Sequence, residues 1–102
     1  MDFLFYFEKS KSKDLNRVLT SDPYADNSFA RVGYTLKDGG SIGEKEGAYV
    51  YFKTDEEIGA KLSKKLVEID GVEVAAGDKE RILKKISEQE QNAIEGFGSI
   101  FT

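Results

Sequence analysis

The residues of this chain that could do chemistry are tyrosines, lysines and carboxylates. Tyr6, Tyr49 and Tyr51 stand in two short aromatic runs, FLFYF at 3–7 and AYVYF at 48–52. Rings like these on an open sheet can stack unpaired bases, because every base offers a π-face. Lys9, Lys11 and Lys13 alternate with Ser10 and Ser12 and precede Arg17. Cations beside a helix start could hold a phosphate or another anionic partner. Histidine and cysteine are both absent. That excludes thiolate chemistry, disulfides, Cys/His zinc sites, imidazole acid–base catalysis and the Ser-His-Asp triad. Carboxylate or lysine chemistry remains, but the 19 acids are spread along the chain and single out no pair. Asp22 and Asp26 flank Pro23-Tyr24-Ala25, and Asp70 precedes Gly71. Neither place has the alternating oxygen ligands and distal glutamate of a calcium loop. No metal or cofactor is implied, and the residue set points away from an enzyme.

Glycines 39, 40, 43 and 47 fall within and just after DGGSIGEKE. A phosphate-cradling loop needs a strand before it, a helix after it and a lysine followed by Ser or Thr. Here a strand is expected on both sides and Lys45 precedes Glu46, so the stretch reads as a hairpin loop.

The elements that must position these residues follow from periodicity. The runs 3–7 and 48–52 are short, aromatic or β-branched strands. Alternation sends Phe3, Phe5, Phe7, Ala48, Val50 and Phe52 to one face and Leu4, Tyr6, Tyr49 and Tyr51 to the other. Leu15, Val18 and Leu19 mark a short helix starting near Ser12 or Lys13, stopped by Ser21-Asp22-Pro23. Residues 29–36 alternate as Ala30, Val32, Tyr34 and Leu36 against Phe29, Arg31, Gly33 and Thr35, which predicts a strand, with Gly33 at a bulge. Thr54-Asp55-Glu56-Glu57 matches a capping box with Thr54 as the cap. Ile58, Leu62, Leu66 and Ile69 then recur at helical spacing up to the Asp70-Gly71 turn. Val72 to Val74 reads as a brief edge strand. A last helix opens at Gly77-Asp78 and carries Ile82, Leu83, Ile86, Ala93 and Ile94, with Gly96 as its natural terminator.

The order β-α-β-β-α-β-α is a split βαβ layout with an added C-terminal helix. It predicts an α+β two-layer sandwich, ferredoxin-like, with a four-stranded antiparallel sheet and both crossover helices on one face. A length of 102 residues suits one domain spanning 1–102. The apolar fraction of 39% and charged fraction of 33% belong to a globular chain with no apolar run near the ~20 residues of a membrane helix. MDFLFYFEKS lacks the basic start and long apolar stretch of a signal peptide, so a cytoplasmic location is expected. A composition rich in Lys and Glu without cysteine also fits a thermophile.

Lys45-Glu46-Gly47-Ala48-Tyr49-Val50-Tyr51-Phe52 resembles the third-strand signature of the RNA recognition motif family at Lys45, Ala48, Tyr49, Val50 and Phe52. Glu46 stands where that family has glycine, and Gly47 stands where its second stacking aromatic belongs. The resemblance covers eight residues and implies single-stranded RNA as a partner of Tyr6, Tyr49 and Tyr51, with Lys9, Lys11 and Lys13 at the rim. The net charge of −4 weighs against a general nucleic-acid binder.

The C-terminal segment offers a second surface. Glu88, Glu90 and Glu95 lie late in the last helix with no lysine after Lys85, which opposes the helix dipole. Ile94, Phe97, Ile100 and Phe101 lie beside those acids. The segment is expected either to fold back over the tyrosine face or to dock on a protein partner or a second copy. A non-catalytic interaction or assembly module is therefore the first expectation, and an RNA-binding module the second.

Overall fold

β1 (Asp2–Phe7) and β3 (Ala48–Lys53) pair antiparallel along their whole length, from Asp2 opposite Lys53 to Phe7 opposite Ala48. β2 (Thr35–Asp38) flanks β3, and the two-residue β4 (Val72–Glu73) flanks β1. The result is an open antiparallel sheet of order β2-β3-β1-β4. The computed structural model describes residues 1–21, 24–25 and 28–101, with side chains described as far as residue 89. The expected stop at Asp22-Pro23 and the carboxylates of Asp22 and Asp26 lie outside the described residues.

Strand alternation divides the core into two layers. On one face Phe5, Phe7, Val50 and Phe52 meet Leu15 and Leu19 of α1 (Ser12–Thr20), Phe29 of α2 (Phe29–Val32), and Leu62 and Leu66 of α3 (Glu56–Glu68). Phe3 stacks on Phe52 at 5.0 Å, and Phe29 meets Phe52 edge-on at 5.4 Å, the offset and T-shaped geometries that aromatic quadrupoles favour. On the other face Leu4 and Tyr49 are buried with Ile82 and Ile86 of α4 (Ala76–Phe101) and with Ile42. Helices thus cover both faces of the sheet, and α4 supplies the second cover. Among the described residues no helix is long and apolar enough to cross a membrane.

α4 crosses the sheet strand by strand. Just before it starts, Val74 N–H donates to Leu4 C=O. The Lys79 ammonium then donates to Asp2 C=O at the start of β1, and Ile86 borders a cleft with Tyr51 of β3. Gln89 Nε2 donates to Ser41 C=O at 3.2 Å, just beyond β2.

Three local expectations give way to the structure. Residues 29–36 are not one strand: Phe29–Val32 forms a helical turn and the strand begins only at Thr35. The Ser28 hydroxyl caps that turn by accepting from Arg31 N–H, and Gly33, at φ 86°, ends it in a backbone region that L side chains avoid. The cap of α3 is Asp55, not Thr54: its carboxylate accepts from Ile58 N–H at 2.8 Å. The helix expected to end at Gly96 continues through Gly96 and Gly98 to Phe101, since glycine raises the energy of a helix by about 1 kcal/mol without forbidding it.

The capping assignment separates two neighbouring substitutions. Asp55→Ala should lower unfolding free energy by about 1 kcal/mol in urea denaturation, the usual cost of losing a cap. Thr54→Ala should stay within about 0.5 kcal/mol, as for a surface position. The reverse order would restore Thr54 as the cap.

Candidate functional site

The tyrosines, the glycine-rich loop and the start of α4 meet at one place on the sheet. Tyr6 and Tyr49 are direct cross-strand neighbours, with ring centroids 5.1 Å apart. Tyr6 donates its hydroxyl to the carbonyl of Glu46, and Tyr51 donates to Asp2 Oδ1 at 2.7 Å. Tyr49 is only 4% exposed, under Ile82 and Ile86 of α4. Burial, assisted by the nearby Glu44 carboxylate, pushes its phenol above the ordinary tyrosine range. α4 therefore lies on the face where stacking was expected.

Gly47 shows why the family's second stacking aromatic has no counterpart here. It sits at φ 140°, and a Cβ on it would lie 2.5 Å from Phe7 C=O and 2.6 Å from the Tyr6 hydroxyl. The strand can begin under Tyr6 only because this residue has no side chain.

Lys9, Lys11 and Lys45 are engaged within the chain. Lys9 pairs with Glu46 at 3.2 Å, both side chains well exposed. Lys11 meets Asp70 at 2.7 Å, and that hydrogen-bonded carboxylate raises the lysine's pKa. Lys13 is exposed on the first turn of α1. Lys45 places its ammonium 4.9 Å from the centre of the Tyr6 ring, a cation–π contact. Tyr6, Glu8, Lys11, Lys45, Asp70 and Val72 line an open cleft of about 380 Å³. The expected binding residues Tyr6 and Lys11 thus share one cleft, while Tyr49 and Tyr51 lie with α4. Ile94, Phe97, Ile100 and Phe101 belong to α4, and their side chains lie outside the described residues.

The most perturbed carboxylate is Glu44, in the glycine-rich loop. Its side chain is 10% exposed and receives both arms of Arg81, Nη2 to Oε1 at 2.8 Å and Nε to Oε2 at 3.1 Å. The Lys85 ammonium donates to it as well. Arg81 and then Lys85 hold its pKa down at about 2, against an ordinary 4.5. Arg81 also bonds Asp78 at 2.7 Å, and the two carboxylates raise the guanidinium's own pKa. Ile42 is buried in the same loop. Sequence reading passed over this clasp because its partners stand 37 and 41 residues from Glu44. The one visible signal was Ile42, the sole large apolar residue among the loop's glycines and charges.

Among the described residues no group of three or more carboxylates is placed to share a metal ion. Ion pairing accounts for the pKa shifts of Glu44, Arg81 and Lys11, and burial leads that of Tyr49. Compared with known proteins, the chain matches no family model, no curated protein and no solved structure.

The clasp sets a pH dependence. A carboxylate whose folded pKa is depressed contributes stability above its unfolded value and loses it as pH falls through the folded value. The contribution of Glu44 should be full above about pH 4.5 and decline toward about pH 2. Thermal melts across that window should therefore fall less steeply for Glu44→Gln than for the parent. Parallel curves would mean that Glu44 is not ionically clasped in solution.

Proposed function

We propose that this chain is a non-catalytic interaction module that meets a protein partner through the distal half of α4. One observation carries the reading. At 26 residues α4 is about 39 Å long, whereas three inter-strand spacings make the sheet only about 14 Å wide. By Gln89 the helix has reached the far strand, at Ser41. The twelve residues that remain carry Ile94, Phe97, Ile100 and Phe101, and an apolar helix face needs a surface to bury it. The strand order and the helical crossovers after β1 and β3 also support a ferredoxin-like reading of the body, with α4 as the addition. The RNA alternative needs α4 to leave the sheet, because stacking on Tyr49 competes with Ile82 and Ile86 for the same ring.

Amide hydrogen exchange on the monomer tests this without knowledge of the partner. Amides of Ala76–Gln89 should be protected, and those of residues 90–101 should exchange near the rate of an unsupported helix. Equal protection of both halves would show the distal half already packed on its own body and would sink the reading. Adding short mixed-sequence single-stranded RNA tests the alternative in the same samples: deprotection of α4 with shifts at Tyr6, Tyr49 and Tyr51 would move RNA binding ahead.

A further inference from the structure

β2 is the outermost strand on the side toward which α4 runs, and among the described residues no strand lies against its outer edge. Both edge strands expose an apolar side chain, Val72 at 60% on β4 and Leu36 on β2, and β2 is the longer by two residues. Leu36 is 43% exposed and Tyr34 39% exposed, on or next to a strand whose outer backbone groups face outward. In the pairing with β3, Leu36 lies opposite Val50. Directly opposite residues share a face, so Leu36 carries the layer of Phe5, Phe7, Val50 and Phe52 out to the rim. An exposed edge of this kind is a template for another strand.

We propose that β2 pairs antiparallel with β2 of a second copy of this chain, joining two four-stranded sheets about a twofold axis at Leu36. The inference rests on the assembly reading and names its partner. The strand's own sequence selects the register. Centred on Leu36, the pairing sets Leu36 against Leu36, Thr35 against Lys37 and Tyr34 against Asp38 of the other copy. Every opposed pair is then of the same face, and no like charges meet. A slip of one residue sets opposite faces against each other. Centring on Lys37 opposes lysine to lysine, and centring on Thr35 calls for Val32, which is in α2.

The geometry of α4 agrees. A twofold axis perpendicular to the sheet keeps the α4 faces of both copies on one side. The ~18 Å of helix beyond Gln89 then runs over the other copy's sheet. On that face β2 presents Lys37, opposite Tyr49 in the ladder, while residues 88–101 hold Glu88, Glu90 and Glu95 and no basic residue. The helix supplies area that a four-residue edge cannot, since stable interfaces bury roughly 1,600 Å² in total.

Sedimentation equilibrium from about 10 µM to about 1 mM reads weak association directly. The parent should show a concentration-dependent dimer, and Leu36→Lys should weaken it at least about tenfold with an unchanged far-UV spectrum. A parent that stays monomeric throughout overturns the inference. A dimer unaffected by Leu36→Lys but lost in Phe97→Asp also overturns it, and leaves the α4 reading standing. Cross-linking gives an independent readout, because the chain has no cysteine of its own. Leu36→Cys should form a disulfide dimer under mild oxidation faster than Lys64→Cys, which is exposed on α3, the helix that packs against β1 and β4. Equal rates would overturn the register.

Discussion

β1 has no polar face. Leu4, Phe5 and Phe7 are each fully buried, the first on one side of the sheet and the other two on the opposite side. A strand apolar on both sides must be covered twice, because leaving either face in water forfeits the burial that holds the sheet together. α1, α2 and α3 supply one cover and α4 supplies the other. The tyrosines fit the second cover in a particular way. Their rings lie in the apolar layer, while the Tyr6 and Tyr51 hydroxyls reach partners at the rim, at Glu46 and Asp2. A phenol drawn into an apolar layer costs free energy unless its hydroxyl finds a partner, and the rim supplies one for Tyr6 and one for Tyr51.

Covering a flat face with a helix leaves open which turn of the helix sits where. Hydrophobic contact is non-directional, and Ile82 and Ile86 could slide along the tyrosines. The Glu44 clasp removes that freedom. Arg81 offers a planar fork that a carboxylate accepts in only one orientation, and Lys85 closes on the same group from one turn later. Measured against well-packed apolar side chains in the same place, such a cluster gains little net stability, so what it adds is position. It fixes the helix against the loop, and the loop is fixed in turn by Ile42 beneath it. Gly39 and Gly47 close the loop's base, where Gly39 N–H donates to Gly47 C=O at 2.8 Å.

What the sequence made legible follows from which signals are local. β1, β3 and α3 were readable because alternation and helical spacing are properties of a few consecutive residues, and Phe5, Phe7, Val50 and Phe52 fell on the expected face. Residues 29–36 misled for the same reason. Ala30, Val32, Tyr34 and Leu36 alternate like a strand, while one hydroxyl at Ser28 and one left-handed glycine at Gly33 decide for a helical turn. Thr54 and Asp55 are both good caps, and only the backbone tells which of them faces the open N–H groups. The surplus of apolar residues at Leu4 and Tyr49 did announce that something must cover the second face. That α4 does so, held by Glu44, depends on pairs about forty residues apart, which no window of sequence displays.

The two edges of the sheet are unequal, and the inequality bears on how copies could meet. β4 is only two residues long, Val72 and Glu73, and leads into α4 two residues later, so it offers another strand little to pair with. β2 is longer, is apolar at Leu36 and has the overrunning helix on its side. A head-to-tail contact, β2 of one copy on β4 of the next, would repeat without end and build a filament. Pairing β2 with β2 uses the same surface on both copies and consumes it. The joined sheet would then end at β4 on both sides, so the shortness of β4 would be what stops growth at two.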